Sequence, residues 1–332
     1  MRLLVGTLTA LVVVSALAAN AVRAQKETSH GAASHTVTKD DYNRWKTELS
    51  NWGRWGKDDQ LGALNLITPA KRRQAAAMVK EGVTVSLAVD ANLQKGAAPN
   101  AVAPYERIVF QSGPGGAADR LAISFHGSSV THLDAFAHRF FDGKMWNGFS
   151  YEEVTTEKGA AKNSIYNFHS GIVTRGVLMD IPRLKGVDYL EPGTRIYPED
   201  LEAWEKTAGF KVSAGDALFI RTGRWARLKK VGSERDQAGL DASVIPWLKK
   251  RDVALLGSEH PQDATPPPGD IPRLAVHDFV LIVLGVPLFD NCSLDAVAEA
   301  AAARNRWEFM LTAAPLPVPG GTGSPLNPLA VF

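Results

Sequence analysis

The sequence predicts a mixed α/β layer fold. Five short apolar segments have the length and composition of strands, and helical segments lie between the later ones. Such alternation favours a sheet covered by helices over a helical bundle or an all-β sandwich. The chain has 332 residues, of which 45% are hydrophobic, so it can bury a full core as one large domain or two small ones.

The first residues have the layout of a secretory signal peptide. Arg2 provides a positive start, Leu3 to Ala19 carry no charge, and Val22-Arg23-Ala24 precede Gln25. We therefore expect residues 1–24 to be cleaved and the mature protein to be periplasmic or secreted, without membrane association. An uncleaved anchor is the alternative, because the apolar run is about the minimum length that spans a bilayer.

Residues 25–40 are polar and lack periodicity, so we expect a disordered leader followed by one domain over residues 41–332. A segment rich in Trp and Gly (51–69) ends in a helix signal. Thr68 suits the cap, Pro69 the first turn and Gly82 the stop.

The strand-like segments differ in pattern. Val83–Asp90 and Leu121–His126 alternate with period two. The other predicted strands are the apolar runs Gly171–Ile181, Asp216–Gly223 and Asp252–Ser258. The predicted helices are Pro198–Ala208, Ala242–Arg251 and Ser293–Asn305. Glycine clusters at 113–116 and 320–323 lack a following amphipathic helix, so they indicate turns and not phosphate loops.

Charge and cysteine content exclude several classes of partner. The formal net charge of +2 includes Arg2 and Arg23, so the mature chain is near neutral. No basic stripe for nucleic acid and no polybasic membrane patch is present, which favours a small, weakly charged substrate. Cys292 is the only cysteine, so no internal disulfide can form and packing alone must hold the fold.

Three of the eight histidines lie in the segment FHGSSVTHLDAFAH, which runs from Phe125 to His138. In extended chain, His132 and Asp134 face the same side and can converge on one ion. An imidazole and a carboxylate suit Zn²⁺, Mn²⁺ or Fe²⁺. If a helical turn begins near Asp134, His138 lies over the same face. The alternative is that these are ordinary polar residues of a loop or half-buried strand.

A second histidine and carboxylate lie far downstream. His277 precedes a long apolar run that is typical of a buried segment and ends at Asp290. Asp290 or Ser293 could instead cap the following helix, and His277 could be a core residue.

The motifs resemble those of the cyclase family, which contains bacterial kynurenine formamidase and isatin hydrolase. THLDAFAH is similar to the family signature HxGTHxDxPxH, and LAVHDFVLIVLGVPLFDN to its downstream segment. The opening NWGRWG and the ending APLPVPGGTGSPLNPLA also resemble larger bacterial members. The resemblance extends from about Trp45 to Phe332, which is nearly the whole mature chain.

The resemblance implies a single compact mixed-sheet domain of the swivelling β/β/α type, commonly homodimeric, with one or two divalent ions, Zn or Mn. By position it makes His132, Asp134, His277 and Asp290 metal ligands and His138 the proton shuttle. Three departures from the signature stand out. Ser128 occupies the place of its opening histidine, although His126 lies two residues earlier, Phe136 replaces its proline, and Asp290 replaces a glutamate. In GSEHPQD, which resembles the loop near the family's metal site, the side chains of Glu259, His260 and Gln262 could support the site, supply an extra ligand or simply form a polar turn.

The implied function is metal-dependent hydrolysis of a small amide, formamide or lactam. The metal activates water, and His138, uncharged near neutral pH, transfers protons. An aromatic pocket is expected from Trp52, Trp55, Phe125, Phe136 and Trp146. The alternatives are a metal-dependent lyase or cyclising enzyme acting on a carboxylic substrate, and a periplasmic protein that binds a metal or ligand without turnover. A serine nucleophile is disfavoured because the chain contains no GxSxG motif.

Overall fold

The computed structural model describes residues 35–91, 105–128 and 130–332. The described residues belong to two units. The first ends at Thr36, and its two described residues have no regular structure; the second is a compact unit over Val37–Phe332. The predicted signal peptide and residues 25–34 of the predicted leader lie outside the described residues. The first helix begins at Lys39, inside the range expected to be leader, because Thr38 and Asp41 form a capping box there.

Eight α-helices occur in the described ranges. They are α1 (Lys39–Glu48), α2 (Pro69–Ala76), α3 (Ile181–Lys185), α4 (Pro198–Ala208), α5 (Arg224–Val231), α6 (Ile245–Arg251), α7 (Ala275–Phe279) and α8 (Asp295–Arg304). Thr68 caps α2 as predicted, but α2 ends at Ala76, before the predicted stop at Gly82, and the amides of Glu81 and Gly82 donate to the carbonyl of Phe332. Within these ranges, no helix combines the length and apolar character needed to cross a membrane.

A nine-stranded mixed sheet forms the centre of the compact unit. Its strands, in spatial order, are β1 (Thr84–Ser86), β15 (Leu329–Val331), β13 (Glu308–Ala313), β7 (Ile172–Asp180), β9 (Ala217–Arg221), β11 (Leu255–Ser258), β12 (Leu288–Asp290), β4 (His132–Asp134) and β14 (Gly323–Pro325). Neighbours from β7 to β12 are parallel and all other neighbours are antiparallel. The predicted mixed α/β fold is confirmed.

Three of the predicted strands, β7, β9 and β11, form the parallel centre of the sheet. Their residues are almost all buried, as expected where helices cover both faces of a parallel sheet. Gly176 in β7 lies opposite Phe309 of β13, and a side chain at position 176 would overlap the Phe309 ring. A residue without a Cβ is therefore required at this close approach.

The predicted strand Leu121–His126 is wrong in its bounds. The observed strand, β3 (Gly116–Ala122), pairs with β2 (Glu106–Gly113) in an antiparallel hairpin, and the predicted turn at 113–116 joins them. Residues 123–128 are irregular, with Gly127 at a φ of 123°. The chain leaves the hairpin here and turns towards β4.

Two smaller pairs, β8 (Arg195–Ile196) with β10 (Gly239–Leu240) and β5 (Val154–Thr155) with β6 (Gly159–Ala160), lie apart from the main sheet. One end of the main sheet, formed by β12, β4 and β14, carries His132, Asp134 and Asp290. His132 lies opposite both Asp290 and Pro325, and Asp134 lies opposite Gly323. Directly opposed residues of antiparallel strands share a face, so these side chains and backbone positions line one surface.

Candidate metal centre

Asp134 lies at the centre of a buried cluster of imidazoles. Strand β4 alternates, so His132 and Asp134 face one side while Leu133 packs into the core. All three residues are buried, and the Asp134 side chain is 1% exposed. A 3₁₀ turn at Phe136–His138 then returns the chain, and Nε2 of His138 lies 3.7 Å from Oδ2 of Asp134.

His277 approaches Asp134 from the other side of the cluster. It lies in α7, which continues as a buried π-helical turn over Val280–Leu284 before β12 begins. Its Nε2 lies 3.2 Å from Oδ2 of Asp134. The predicted buried segment is therefore present, and it brings a residue 143 positions away in sequence against Asp134.

His126 joins the cluster, whereas Ser128 does not. Nδ1 of His126 lies 2.9 Å from Oδ1 of Asp134, and its ring stacks on that of His138 with centroids 3.8 Å apart. The sequence left open whether His126 belongs to the site. These two stacked rings are the more exposed part of the cluster, at 28% and 23% of their side-chain surface.

The donor atoms fit a divalent metal ion. His126, His132 and Asp134 form one group, and Asp134, His138 and His277 form another, with donor atoms within 4.8 Å of one another in each. Nδ1 of His126 and Oδ1 of Asp134 are buried, and neither makes a hydrogen bond within the described chain, although they are adjacent. Buried polar atoms without partners are uncommon, and an ion between such atoms would satisfy them.

Three of the imidazoles are also oriented by contacts at their second ring nitrogen. The second ring nitrogen of each contacts a polar group outside the cluster: His132 Nδ1 the carbonyl of Val130 at 3.0 Å, His126 Nε2 the hydroxyl of Thr322 at 2.9 Å, and His277 Nδ1 the carboxylate of Asp278 at 3.0 Å. This is the arrangement that orients histidine ligands in metal proteins. Each histidine therefore directs its remaining nitrogen towards Asp134.

The electrostatics of the cluster favour a charged Asp134. Burial alone would raise the pKa of its carboxyl, but His138, which is protonated at the low pH where this carboxyl titrates, and contacts with His126 and His277 hold that pKa well below its usual value. Burial would lower the pKa of His277, yet its contacts with Asp134 and Asp278 raise it well above the usual range. For His138, burial dominates and lowers the pKa to about 4, so this imidazole is neutral at pH 7.

Asp290 lies beside His132 and His277, farther from them than Asp134 is. Its Oδ2 is 3.8 Å from Nε2 of His277 and 4.0 Å from Nε2 of His132, and its Oδ1 accepts from the amide of Gln262 at 2.7 Å. Burial and the nearby Asp134 raise its pKa, and His277 opposes them. The interpretation of Asp290 or Ser293 as a helix cap is wrong, because α8 begins after Leu294 without a side-chain cap.

The three candidates of the GSEHPQD segment have different surroundings. Gln262 supports Asp290, as described above. Oε2 of Glu259 accepts from the backbone amides of Thr222, Gly223 and Arg224, so Glu259 holds the start of α5. His260 is buried, which lowers its pKa to about 3, and its Nδ1 lies 3.4 Å from the carbonyl of Pro261.

Sequence reasoning missed several supporting residues. Asp278 contacts His277 and is held by a two-pronged ion pair with Arg139, at 2.7 and 2.8 Å. Thr322, which contacts His126, comes from the loop before β14. The positions of Arg139 and Asp278, directly after His138 and His277, were the only available signal in the sequence.

An apolar cavity of about 490 Å³ adjoins the cluster. Its side chains include Leu121, Ile123, Phe125, Leu316, Val318 and Pro325. The cavity is next to the cluster because Phe125 contacts the ring of His126 and because Gly323 and Pro325 share the sheet face of Asp134 and His132. A Cβ at Gly323 would meet the carbonyl of Leu133 at 2.7 Å and the Phe125 ring at 2.9 Å, so glycine keeps this boundary close.

The predicted aromatic pocket is only partly correct. Phe125 lines the cavity, but Phe136 and Trp146 are fully buried and pack on each other in the core. Trp52 donates its indole N–H to the carbonyl of Ile282, and Trp55 packs against Trp146. The large aromatic residues of the opening motif therefore stabilise the fold around the π-helical turn.

The fold and the site define an α/β protein with a buried histidine–aspartate cluster that could hold a metal ion. The Cyclase family model matches residues 34–262, which is more than half of the chain. A crystal structure of a novel cyclase shares 31% sequence identity and superposes with a TM-score of 0.79, covering 86% of this chain and 99% of that one. The chain belongs to the Cyclase family.

Isatin hydrolases share the fold at lower identity. Isatin hydrolase A from Ralstonia solanacearum is 19% identical with a TM-score of 0.54, covering 75% of this chain and 91% of that one. Isatin hydrolase A from Labrenzia aggregata, bound to benzyl benzoate, is 18% identical with a TM-score of 0.55, covering 77% and 94%. A search of curated proteins found no match.

Proposed function

We propose that this protein is a metal-dependent hydrolase that cleaves a C–N bond in a small amide, formamide or lactam. The observation that carries the proposal is the convergence of His126, His132 and His277 on Asp134, each with its second nitrogen fixed by a neighbour. Zn²⁺ and Mn²⁺ suit this set of imidazole and carboxylate donors. Family membership and the isatin hydrolase fold support the same class of reaction.

His126, His132, Asp134 and His277 would hold the ion, and Asp290 would complete the set or support a second one. When bound, a divalent ion supplies Lewis acidity, which makes water a nucleophile near neutral pH and polarises a carbonyl group. Asp134 also favours binding of a cation, since its carboxyl is ionised in its buried site. The surrounding core keeps bulk water from His132, Asp134 and His277.

In this proposal, His138 moves protons. Its Nε2 faces Asp134 at 3.7 Å, and it lies at the exposed edge of the cluster, where a substrate would enter. Because burial keeps the imidazole neutral at pH 7, it can accept a proton from the attacking water. It can then return a proton to the leaving nitrogen, so that one water is consumed and an acid and an amine are formed.

The substrate would carry an apolar group beside the scissile bond. The cavity between Phe125 and Val318 adjoins His126 and is lined mostly by aliphatic and aromatic side chains. Its volume of about 490 Å³ is within the usual range for small-molecule sites. A benzene ring or a short alkyl group attached to an amide or lactam would fit this chemistry.

The proposal is tested with metal-free protein reconstituted with Zn²⁺ or Mn²⁺. We expect about stoichiometric metal and hydrolysis of some members of a panel of N-formyl anilines, lactams and lactones, with products that contain one added water. Asp134→Ala should lose both metal and activity, whereas the matched control Asp270→Ala, at an 87% exposed surface position, should keep them.

Different outcomes identify the alternatives. Turnover without addition of water would make the protein a lyase or cyclising enzyme, which the family resemblance also allows. Tight metal binding without turnover of any member of the panel would favour a binding protein. Activity that survives complete removal of metal and the Asp134→Ala substitution would contradict the proposal.

A further inference from the structure

Asn291 directly follows Asp290 and is fully buried in an unusual backbone conformation. Its φ is 56°, in the left-handed region that asparagine and glycine tolerate better than other residues. Its amide nitrogen donates to the carbonyls of Gly127 and Val130, the latter at 3.2 Å. One side chain therefore ties β12 to both ends of the loop between His126 and His132.

Arg224 holds Asn291 in turn. Its guanidinium, at the start of α5, donates to Oδ1 of Asn291 at 3.0 Å and to the carbonyl of Glu259 at 2.6 Å. Its Nε donates to Glu234 at 2.6 Å. Arg224 is 8% exposed, so these are charged hydrogen bonds in a buried setting, where they are stronger and more directional than at the surface.

The residues that Asn291 contacts adjoin and orient His126 and His132. The carbonyl of Val130 that accepts from Asn291 also accepts from Nδ1 of His132 at 3.0 Å. The hydroxyl of Thr131 donates to the carbonyl of Asn291 at 2.6 Å, which closes a second link. On the other side of the loop, Gly127 follows His126 directly. Movement of Asn291 would therefore shift the donor nitrogens of both His132 and His126.

We propose that Arg224 and Asn291 are positioning residues, which set the geometry of the metal centre through Gly127, Val130 and Thr131 without contacting the ion. The inference rests on the proposed metal site. Neither residue lies in the two donor groups of the cluster. Asn291 reaches the cluster through the carbonyls of Gly127 and Val130 and the hydroxyl of Thr131, and Arg224 reaches it through Asn291. Their effect is therefore on the placement of imidazoles.

Asn291→Gly is the decisive variant, because glycine accepts the left-handed backbone while the amide is removed. Asn305→Gly is its matched control: Asn305 has a φ of 47°, is exposed and ends α8 away from the site. Loss of groups that orient metal ligands typically weakens metal affinity by about 10–100-fold. We expect that loss for Zn²⁺ in Asn291→Gly and wild-type affinity in Asn305→Gly, measured by calorimetric titration of metal-free protein.

A spectroscopic measurement separates positioning from general stability. With Co²⁺ as the probe, a changed visible absorption spectrum in Asn291→Gly, in protein that unfolds cooperatively, reports altered ligand geometry. Arg224→Lys provides a second variant, since lysine keeps the charge but loses the planar guanidinium, which donates to Asn291 and Glu259 from Nη1 and to Glu234 from Nε. It should change affinity and spectrum in the same direction by a smaller factor.

Wild-type Zn²⁺ affinity and an unchanged Co²⁺ spectrum in a folded Asn291→Gly or Arg224→Lys variant would overturn the positioning role. Equal losses in Asn291→Gly and Asn305→Gly would also overturn it, because they would show a general effect of glycine. Failure of the wild-type protein to bind metal would instead remove the proposed function, so the two failures are distinguishable.

Discussion

Substitution of His126 by alanine tests whether this residue replaces the histidine that the family signature has at position 128. The substitution removes the ring whose Nδ1 lies 2.9 Å from Oδ1 of Asp134. Removal of a group that only orients a ligand costs about 10–100-fold in metal affinity. Because His126 supplies a donor atom itself in the proposed site, we expect Zn²⁺ or Mn²⁺ to bind more than about 100-fold more weakly, which corresponds to about 2.8 kcal/mol or more.

Ser128→Ala is the matched control for His126→Ala. The hydroxyl of Ser128 is buried and makes no hydrogen bond with any part of the chain that the structure describes, so its removal breaks no observed contact. Metal affinity of this variant should stay within a few-fold of wild type. Calorimetric titration of the metal-free proteins measures both values, and circular dichroism checks that each is folded. The reasoning is refuted if His126→Ala binds metal like wild type, or if Ser128→Ala shows the larger loss.

Three further outcomes are expected. His138→Ala should lower turnover by about 10²–10⁴ while metal content measured by elemental analysis stays near wild type; loss of metal in proportion to activity would make His138 a ligand. Hydrogen bonds from Arg54 lower the pKa of the Asp252 carboxyl in the folded protein. The pair therefore stabilises the fold fully above the unfolded pKa, near 3.8, and this stabilisation is lost as the pH falls through the lower pKa of the folded state. Urea unfolding should therefore show a deficit in Asp252→Asn at neutral pH that shrinks in acid; a deficit independent of pH would contradict this. Export with cleavage predicts Gln25 as the first residue of protein from its native host, and N-terminal sequencing that finds Met1 on membrane-bound protein would favour the anchor.

The elements that the sequence predicted well are those whose burial is local and continuous. Ile172–Asp180, Ala217–Arg221 and Leu255–Ser258 are strands buried on both faces, so their apolar runs were visible without knowledge of neighbours. The helix over Pro198–Ala208 has a proline in its first turn and glycine after its last residue, which are local signals. By contrast, the end of α2 at Ala76 has no glycine or proline beside it, so no local pattern showed that the helix stops before Gly82.

The candidate site was predictable where its residues are close in sequence. His132, Asp134 and His138 follow the alternation of a strand and the rise of a 3₁₀ turn, and the structure brings them together. The contribution of Thr322 was not predictable, because it depends on the pairing of β14 with β4, which brings Thr322 to His126, 196 positions away in sequence. Asp290 shows the same limit, since its position in β12 and not at a helix end follows from pairing with β4.

The departure at Ser128 has a physical explanation in the loop itself. Gly127 adopts a φ of 123°, a conformation that side-chain-bearing residues rarely reach, and this bend turns His126 towards Asp134. His126 then presents Nδ1 to the cluster, because Thr322 holds its Nε2. A histidine two residues out of place in the linear signature can thus occupy a place in the donor set, provided that a glycine follows it and a hydroxyl lies behind it. The spatial arrangement of nitrogens around Asp134, and not the spacing of the motif, determines what the site can bind.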